Sequence, residues 1–160
     1  MGSGIVANYT DDLIGSGTAT ADDVTNGAVA QAVDNNNSTF WATANSAFPH
    51  WWKYDFGVGI AYRITKLTMS SIGIVGGTSV KDFTLRGSNN DSDWDVVTTE
   101  QHTNVETINT FTFTNTTAYR YYKINVTTNW GSQDIVGMRE VEMMETIRSR
   151  NVGIGSPMMI

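Results

Sequence analysis

Residues 51–57 read Trp51-Trp52-Lys53-Tyr54-Asp55-Phe56-Gly57. From Trp52 onward, aromatic side chains occupy every second position and charged side chains stand between them. This period of two is typical of a β-strand with one buried face, and the glycine ends the run. We therefore predict that Trp52 faces the core, whereas Trp51 and His50 lie in a loop or at the rim.

The same alternation recurs in several short segments along the chain. They are residues 62–72, 82–86, 94–97, 110–114, 122–126 and 140–143. Turns rich in Gly, Asn, Ser and Asp separate them, and no long helical period is visible. Short strands joined by long loops, and not by tight hairpins, indicate an all-β fold of the jelly-roll type.

The composition narrows the classes of function. A chain of 160 residues suffices for one domain with a sizeable core. Its net charge of −6, with scattered Lys and Arg, argues against nucleic acid or an anionic membrane as partner. The absence of cysteine excludes disulfides and thiolate metal sites. No apolar run approaches the roughly 20 residues of a membrane span and no signal peptide is visible, so we expect no membrane insertion.

The periodic pattern also predicts the organisation of the chain. Residues 1–14 are predicted to form an N-terminal arm and residues 15–145 a single β-sandwich. Periodicity is lost in residues 146–160, where Gly153, Gly155 and Pro157 interrupt the chain. We interpret this last segment as a tail or linker, or as an arm that needs a partner.

Several segments, in the same order along most of the chain, resemble those of a known family. They are residues 32–41 (AVDNNNSTFW), 52–57 (WKYDFG), 80–88 (VKDFTLRGS) followed by Trp94, 119–124 (YRYYKI) and 138–142 (MREVE). Together they are similar to the discoidin family, which includes the coagulation factor V/VIII type C domains and the family 32 carbohydrate-binding modules. The resemblance implies an eight-stranded antiparallel jelly-roll β-sandwich, in agreement with the strand pattern.

The resemblance further implies a structural calcium ion in the loop at residues 34–39. The implied ligands are the carboxylates of Asp34 and Glu140, the hydroxyl of Thr39, and the carbonyl oxygens of Gln31, Asn36 and Arg139. Ca²⁺ takes six to eight oxygen ligands of these kinds. Asn35 stands where the family usually has glycine, but Asn tolerates a positive φ. The alternative is an Asx-rich turn without an ion, in which two carboxylates would meet uncompensated.

In sugar-binding members of the family, loops at one end of the sandwich form the ligand site. The corresponding loops here are residues 43–51, 70–79 and 127–137. Sugar recognition needs an aromatic platform and directional hydrogen-bonding groups. The candidate ligand contacts are Trp130, Asn129, His50, Trp51, Phe48, Ser46, Ser70 and Asp134. The second loop carries no charged residue, whereas galactose-binding members usually present a basic one there. The identity of the bound sugar therefore stays open.

Trp130 is the main candidate for the platform. It stands between Asn129 and Gly131, outside any alternating pattern, although a Trp that caps the end of the sandwich would look the same. His50 is either a structural histidine or a ligand contact. Trp41, near the first loop, we interpret as a core residue.

The sequence contains no recognisable catalytic constellation. His50 and His102 are its two histidines, and neither has the spacing of a metal site or a triad. The carboxylates are too dispersed to nominate a glycosidase pair. We therefore expect a non-catalytic module that binds glycans in an extracellular, secreted or virion-associated setting. The alternative is a structural or protein-interaction domain of a homo-oligomer or a virion.

Overall fold

The computed structural model describes residues 7–72, 78–104, 106–131 and 133–147. Its strands are β1 (Asn8–Tyr9), β2 (Thr18–Ala21), β3 (Asn26–Gly27), β4 (Trp41–Ala42), β5 (His50–Asp55), β6 (Lys66–Ser71), β7 (Asp82–Ser88), β8 (Asp95–Gln101), β9 (Asn109–Thr112), β10 (Tyr121–Val126), β11 (Gly137–Met144) and β12 (Thr146–Ile147). A 3-10 helix, Val29–Val33, precedes β4.

Two antiparallel sheets form a sandwich. Sheet I has the order β2-β5-β10-β7-β8, and sheet II has the order β3-β4-β11-β6-β9. The predicted antiparallel jelly-roll sandwich is therefore confirmed, and the seven strands predicted from periodicity correspond to β5 to β11. The strand count differs from eight because short strands of two to four residues, such as β2 and β3, bring each sheet to five. The two-residue strands β3 and β4 are too short to show a period, and β2 (TATA) lacks the large apolar side chains of the predicted strands.

The core lies between the inward faces of the two sheets. Along β5, buried residues alternate with partly exposed ones, so that Trp52 and Tyr54 point inward and Trp51 and Lys53 outward. Trp41 is fully buried, as predicted, and its Nε1 donates to the carbonyl of Asp23 at 2.8 Å. A buried indole N–H needs such a partner, so this bond ties the segment before β3 to the core.

The two ends of the described chain meet at one edge. Strand β1 pairs with β12, with Asn8 opposite Ile147. The backbone N–H of Leu13 donates to the carbonyl of Met143 at 2.9 Å. Part of the predicted N-terminal arm thus lies against the end of β11. The domain boundaries at residues 15 and 145 stay predictions, and residues 148–160 lie outside the described part of the chain.

No helix among the described residues is long and apolar enough to cross a membrane.

Candidate functional site

The three predicted ligand loops meet at one end of the sandwich. The N–H of Thr43 donates to the carbonyl of Val136 at 2.9 Å, which joins the first loop to the third. The N–H of Gly137 donates to the carbonyl of Thr78 at 3.1 Å, which joins the third loop to the second. Residues 73–77 and Ser132 lie outside the described residues. The rest of these loops forms one hydrogen-bonded surface.

Trp130 lies on this surface with its ring held in place. Its indole Nε1 donates to the carbonyl of His102 at 2.9 Å, and its backbone N–H donates to the carbonyl of Ser79 at 3.0 Å. The residue is nevertheless 39% exposed. A sugar platform must be both accessible and rigid, and this ring is both. Because the ring is already fixed, little side-chain entropy is lost when a ligand binds.

A basic group accompanies Trp130, although its own loop contains none. The Lys81 Nζ lies 4.6 Å from the centroid of the Trp130 ring, within the range of a cation–π contact. Lys81 comes just after the second loop, and its N–H donates to the carbonyl of Thr128 at 3.0 Å. The second and third loops themselves carry no basic residue, but the pairing of the chain at Val80 with Asn129 brings Lys81 to Trp130.

His50 is a structural histidine. It is 1% exposed, Nδ1 lies 2.8 Å from Asp22 Oδ2, and Nε2 lies 3.0 Å from the carbonyl oxygens of both Ser46 and Asp134. Burial alone would lower the pKa of His50, but the hydrogen bonds to Asp22 and the two carbonyls outweigh burial, and the pKa is raised. The prediction of a ligand contact was wrong, because this ring holds the first and third loops together.

Asn129 also has a structural role. Its side-chain Oδ1 accepts from the N–H of Gly131 at 3.0 Å. Its Nδ2 donates to the carbonyl of Ile135 at 2.7 Å and to that of Gln133. These bonds engage both the oxygen and the nitrogen of the amide, so Asn129 shapes the third loop. The prediction that Asn129 contacts the ligand was therefore wrong.

Five predicted contacts remain, and of the four other than Trp51, two are partly or fully buried and two are exposed. Ser70 of β6 in sheet II is 2% exposed, and its hydroxyl donates to Asn37 Oδ1 at 2.8 Å. The prediction that Ser70 contacts the ligand was therefore wrong. Phe48 is half-buried, with its ring 5.3 Å from that of His50. Ser46 and Asp134 are exposed and remain candidate contacts.

Trp51 lies on a different face from Trp130. It belongs to β5 and pairs with Asn125 of β10, with its side chain on the outer surface of sheet I. Lys53, two residues further along the strand, has its Nζ 5.7 Å from the Trp51 ring centroid. The side chain of Trp51 therefore belongs to the outer surface of sheet I, although the sequence predicted one common site with Trp130.

The predicted calcium ligands with side-chain oxygens converge. The backbone N–H of Asn36 donates to Asp34 Oδ1 at 3.0 Å and to Glu140 Oε2 at 3.1 Å, so the two carboxylates share one donor. The Thr39 hydroxyl lies 2.8 Å from Asp34 Oδ2 and 2.8 Å from the Asn36 carbonyl. Asn35 has a φ of 58°, as predicted for its position. One loop and one strand thus bring together oxygens of three chemical kinds.

Glu140 carries the electrostatic imbalance of this cluster. It is 6% exposed, and its Oε1 is buried without a hydrogen-bond partner among the described residues. Its pKa is raised to about 7, chiefly by burial and also by the carboxylates of Asp34, Glu142 and Asp12, although the hydrogen bond from the Asn36 N–H lowers it. A cation beside Glu140 would remove both the desolvation cost and the repulsion.

The two other implied ligands flank the cluster. Gln31 lies in the 3-10 helix, where its side-chain Oε1 accepts from the N–H of Ala28 at 2.8 Å. Arg139 lies where the register of β11 against β6 shifts, and its Nη1 donates to the carbonyl of Asn37 at 2.7 Å. No group of three or more His, Asp or Glu side chains suited to a metal occurs in the described ranges. Most ligands of a cation here would therefore be hydroxyl and carbonyl oxygens.

The fold and its loops define a class of protein. A jelly-roll sandwich with three joined loops at one end and a polar Asp34–Thr39 loop beside β11 has the architecture of the discoidin-like modules. The F5/8 type C domain profile matches residues 16–141, and the chain belongs to this family. No curated protein sequence matches the chain significantly.

Solved structures with the same fold include carbohydrate-binding modules. One is the family 32 module of Clostridium perfringens NanJ in complex with galactose, with a TM-score of 0.73, 18% identity, and coverage of 86% of this chain and 100% of that one. A chitosan-binding module from a Paenibacillus sp. IK-5 chitosanase/glucanase has a TM-score of 0.71 and 20% identity, covering 84% and 98%. The AlyQ family 32 module in complex with 4,5-unsaturated mannuronic acid has a TM-score of 0.65 and 19% identity, and the match covers 85% of this chain and 97% of that one.

Proposed function

We propose that this protein is a non-catalytic carbohydrate-binding module that recognises surface glycans through the loop end of the sandwich. The observation that carries the proposal is the Trp130 ring, which is exposed and yet held by the carbonyl of His102. The apolar face of a pyranose stacks on such a ring, while exposed polar groups on the same loops address its hydroxyls. Lys81 supplies a donor beside the ring, and Ser46 and Asp134 supply exposed oxygens.

The relatives support this proposal. The modules with the same fold include ones in complex with galactose, with a galactose-containing disaccharide and with an unsaturated mannuronic acid. Both histidines of this chain are buried, and their ring nitrogens lie near backbone carbonyls or Asp22, which leaves them to structural roles. We place the module in an extracellular, secreted or virion-associated setting. A single shallow site of this kind binds weakly, so several copies acting together would give useful avidity.

We further propose a structural Ca²⁺ bound by Asp34, Thr39 and Glu140. The support is the buried Glu140 carboxylate with one unpartnered oxygen, next to the Asp34 carboxylate and the Thr39 hydroxyl. The carbonyl oxygens of Gln31, Asn36 and Arg139 complete the proposed ligand set. The ion would neutralise the two carboxylates and tie the loop at 34–39 to β11.

A glycan array followed by calorimetry tests the sugar-binding proposal. Trp130→Ala should lower the affinity for any glycan that binds by about tenfold or more, because central aromatic contacts dominate small interfaces. Val58→Ala is the matched control, since Val58 is 85% exposed and follows β5 at the opposite end of the sandwich. That variant should bind as the parent does.

Two results would contradict the proposal. A Trp130→Ala protein that is folded and retains full affinity removes the platform. A wild-type protein that binds no glycan on an array of neutral and acidic sugars favours the structural or protein-interaction alternative, which light scattering would then test through the oligomeric state.

A further inference from the structure

The outer surface of sheet I carries a row of three cations. Lys123 of β10 lies directly opposite Lys53 of β5 on one side and opposite Arg86 of β7 on the other. Like charges in directly opposed positions destabilise a sheet. The chain has a net charge of −6 and ten Lys and Arg residues in all, so the overall charge does not explain why three cations share one row.

Two tryptophans line the same part of this surface. The Lys123 Nζ lies 3.9 Å from the Trp94 ring centroid, and the Lys53 Nζ lies 5.7 Å from that of Trp51. Together with Asp91, these four residues enclose a cleft of about 250 Å³. Trp51 and Trp94 are both partly exposed, so the cleft presents aromatic surface and ammonium groups side by side.

The charges within this cleft do not balance. Both oxygens of Asp91 lie 2.7 Å from the Lys53 Nζ, which compensates one cation. Across the described residues, no carboxylate lies within 4.0 Å of the Lys123 or Arg86 cations. Burial, with the nearby charges of Arg86 and Lys53, lowers the pKa of Lys123. An anion placed beside Lys123 would relieve this repulsion.

We propose that this sheet I cleft is a second binding site, which takes an acidic oligosaccharide with a carboxylate on its sugar rings. The rings stack on Trp51 and Trp94, and the carboxylates pair with Lys123 and Arg86. The site lies on the outer face of sheet I, and none of its residues is among the described contacts of Trp130, which are Ser79, Lys81 and His102. It is therefore independent of the proposed function at Trp130.

The chemistry of the cleft favours an acidic sugar over other anions. Aromatic rings match the apolar faces of pyranoses, and ammonium groups form charge-assisted hydrogen bonds with carboxylates. Nucleic acid also combines bases that stack with a negative backbone. Binding of a nucleic acid strand, however, needs a positively charged groove that follows several phosphates, whereas this row offers two cations, Lys123 and Arg86, without a carboxylate partner among the described residues.

Calorimetry with a short oligogalacturonate tests the proposal, and its methyl ester serves as the neutral ligand of the same shape. We expect the acid to bind and the ester to bind about tenfold more weakly or not at all. Lys123→Gln should lower the affinity for oligogalacturonate by about tenfold, which is the usual effect of losing one charge-assisted hydrogen bond. Trp94→Ala should also lower this affinity, added salt should reduce it, and Trp130→Ala should leave it unchanged.

NMR of the wild-type protein gives a readout that does not depend on the folding of any variant. Oligogalacturonate should shift the indole N–H signals of Trp51 and Trp94 and leave that of Trp130 in place. The proposal is overturned by shifts confined to Trp130, by no shifts, by equal binding of acid and ester, or by full affinity in folded Lys123→Gln. Tighter binding of single-stranded oligothymidylate than of the uronate would also overturn it.

Discussion

The imidazole of His50 and the carboxylate of Asp22 are joined by a 2.8 Å contact between Nδ1 and Oδ2. The other ring nitrogen, Nε2, faces the carbonyl oxygens of Ser46 and Asp134. All three partners are acceptors, so only the doubly protonated ring satisfies them all. When the ring is protonated, the contact therefore holds a cation under the first and third ligand loops, at a position that is 1% exposed.

This arrangement predicts that stability falls as the pH rises through the His50 pKa. The folded-state pKa is raised above the unfolded value of about 6.5, so the contribution of His50 is fully present below that pH. It is lost as the pH rises from about 6.5 through the raised value. Melting temperatures measured between about pH 5.5 and pH 8.5, roughly the range over which His titrates, should show this loss of stability.

His50→Gln supplies the comparison for that measurement. The variant should cost about 1–3 kcal/mol at pH 6, because Asp22 loses its charged partner. It should also lose the pH-dependent step, since no group with the titration of His50 remains. If wild type and variant kept the same difference in melting temperature at all pH values, His50 would not be the titrating group.

We predict that Glu140→Gln has opposite effects on the stability of the protein with and without calcium. Its folded-state pKa of about 7 lies above its usual value, so the metal-free protein loses stability as the pH rises from about 4.5 to about 7. At pH 8 in EDTA, Glu140→Gln should be as stable as wild type or more stable, by about 1 kcal/mol once water screening is allowed for. In millimolar Ca²⁺ the wild type should be the more stable protein.

Differential scanning calorimetry of both proteins in EDTA and in Ca²⁺ measures this reversal. Glu142→Gln is the matched control, because Glu142 is the neighbouring carboxylate on β11 and accepts from Thr68 at 2.8 Å. Calcium should still stabilise that variant. An unchanged melting temperature of wild type on addition of EDTA would count against the calcium site.

The strands could be predicted from the sequence, whereas the sites could be predicted only in part. A period of two is a local signal, and it identified β5 to β11. The same signal could have found His50, because His50 shares the parity of Trp52 and Tyr54 and therefore points inward. The row of Lys53, Lys123 and Arg86 could not be found, because it depends on strand order and register, which join residues far apart in the sequence.

Gly87 of β7 allows a close approach that no other residue would allow. A Cβ atom at this position would lie 2.2 Å from Cδ2 of Tyr119, whose hydroxyl donates to Asp95 at 2.9 Å. Gly87→Ala should therefore destabilise the protein by about 1–3 kcal/mol, the usual cost of overpacking a core. Gly15→Ala, where nothing lies within 4 Å, should change stability by no more than about 0.5 kcal/mol. Equal urea midpoints for the two variants would contradict the packing at Tyr119.

Asn129 and Trp130 are neighbours for which we predict different losses. Asn129→Ala removes the bonds to Gly131 and Ile135, so it should lower stability by about 1–2 kcal/mol and weaken glycan binding through a disordered third loop. Trp130→Ala should weaken glycan binding by about tenfold or more even where the third loop stays ordered, because it removes the platform itself. Urea unfolding and calorimetry on the same samples separate the two effects. If Asn129→Ala unfolds as wild type does but fails to bind, Asn129 contacts the sugar directly and its structural assignment is wrong.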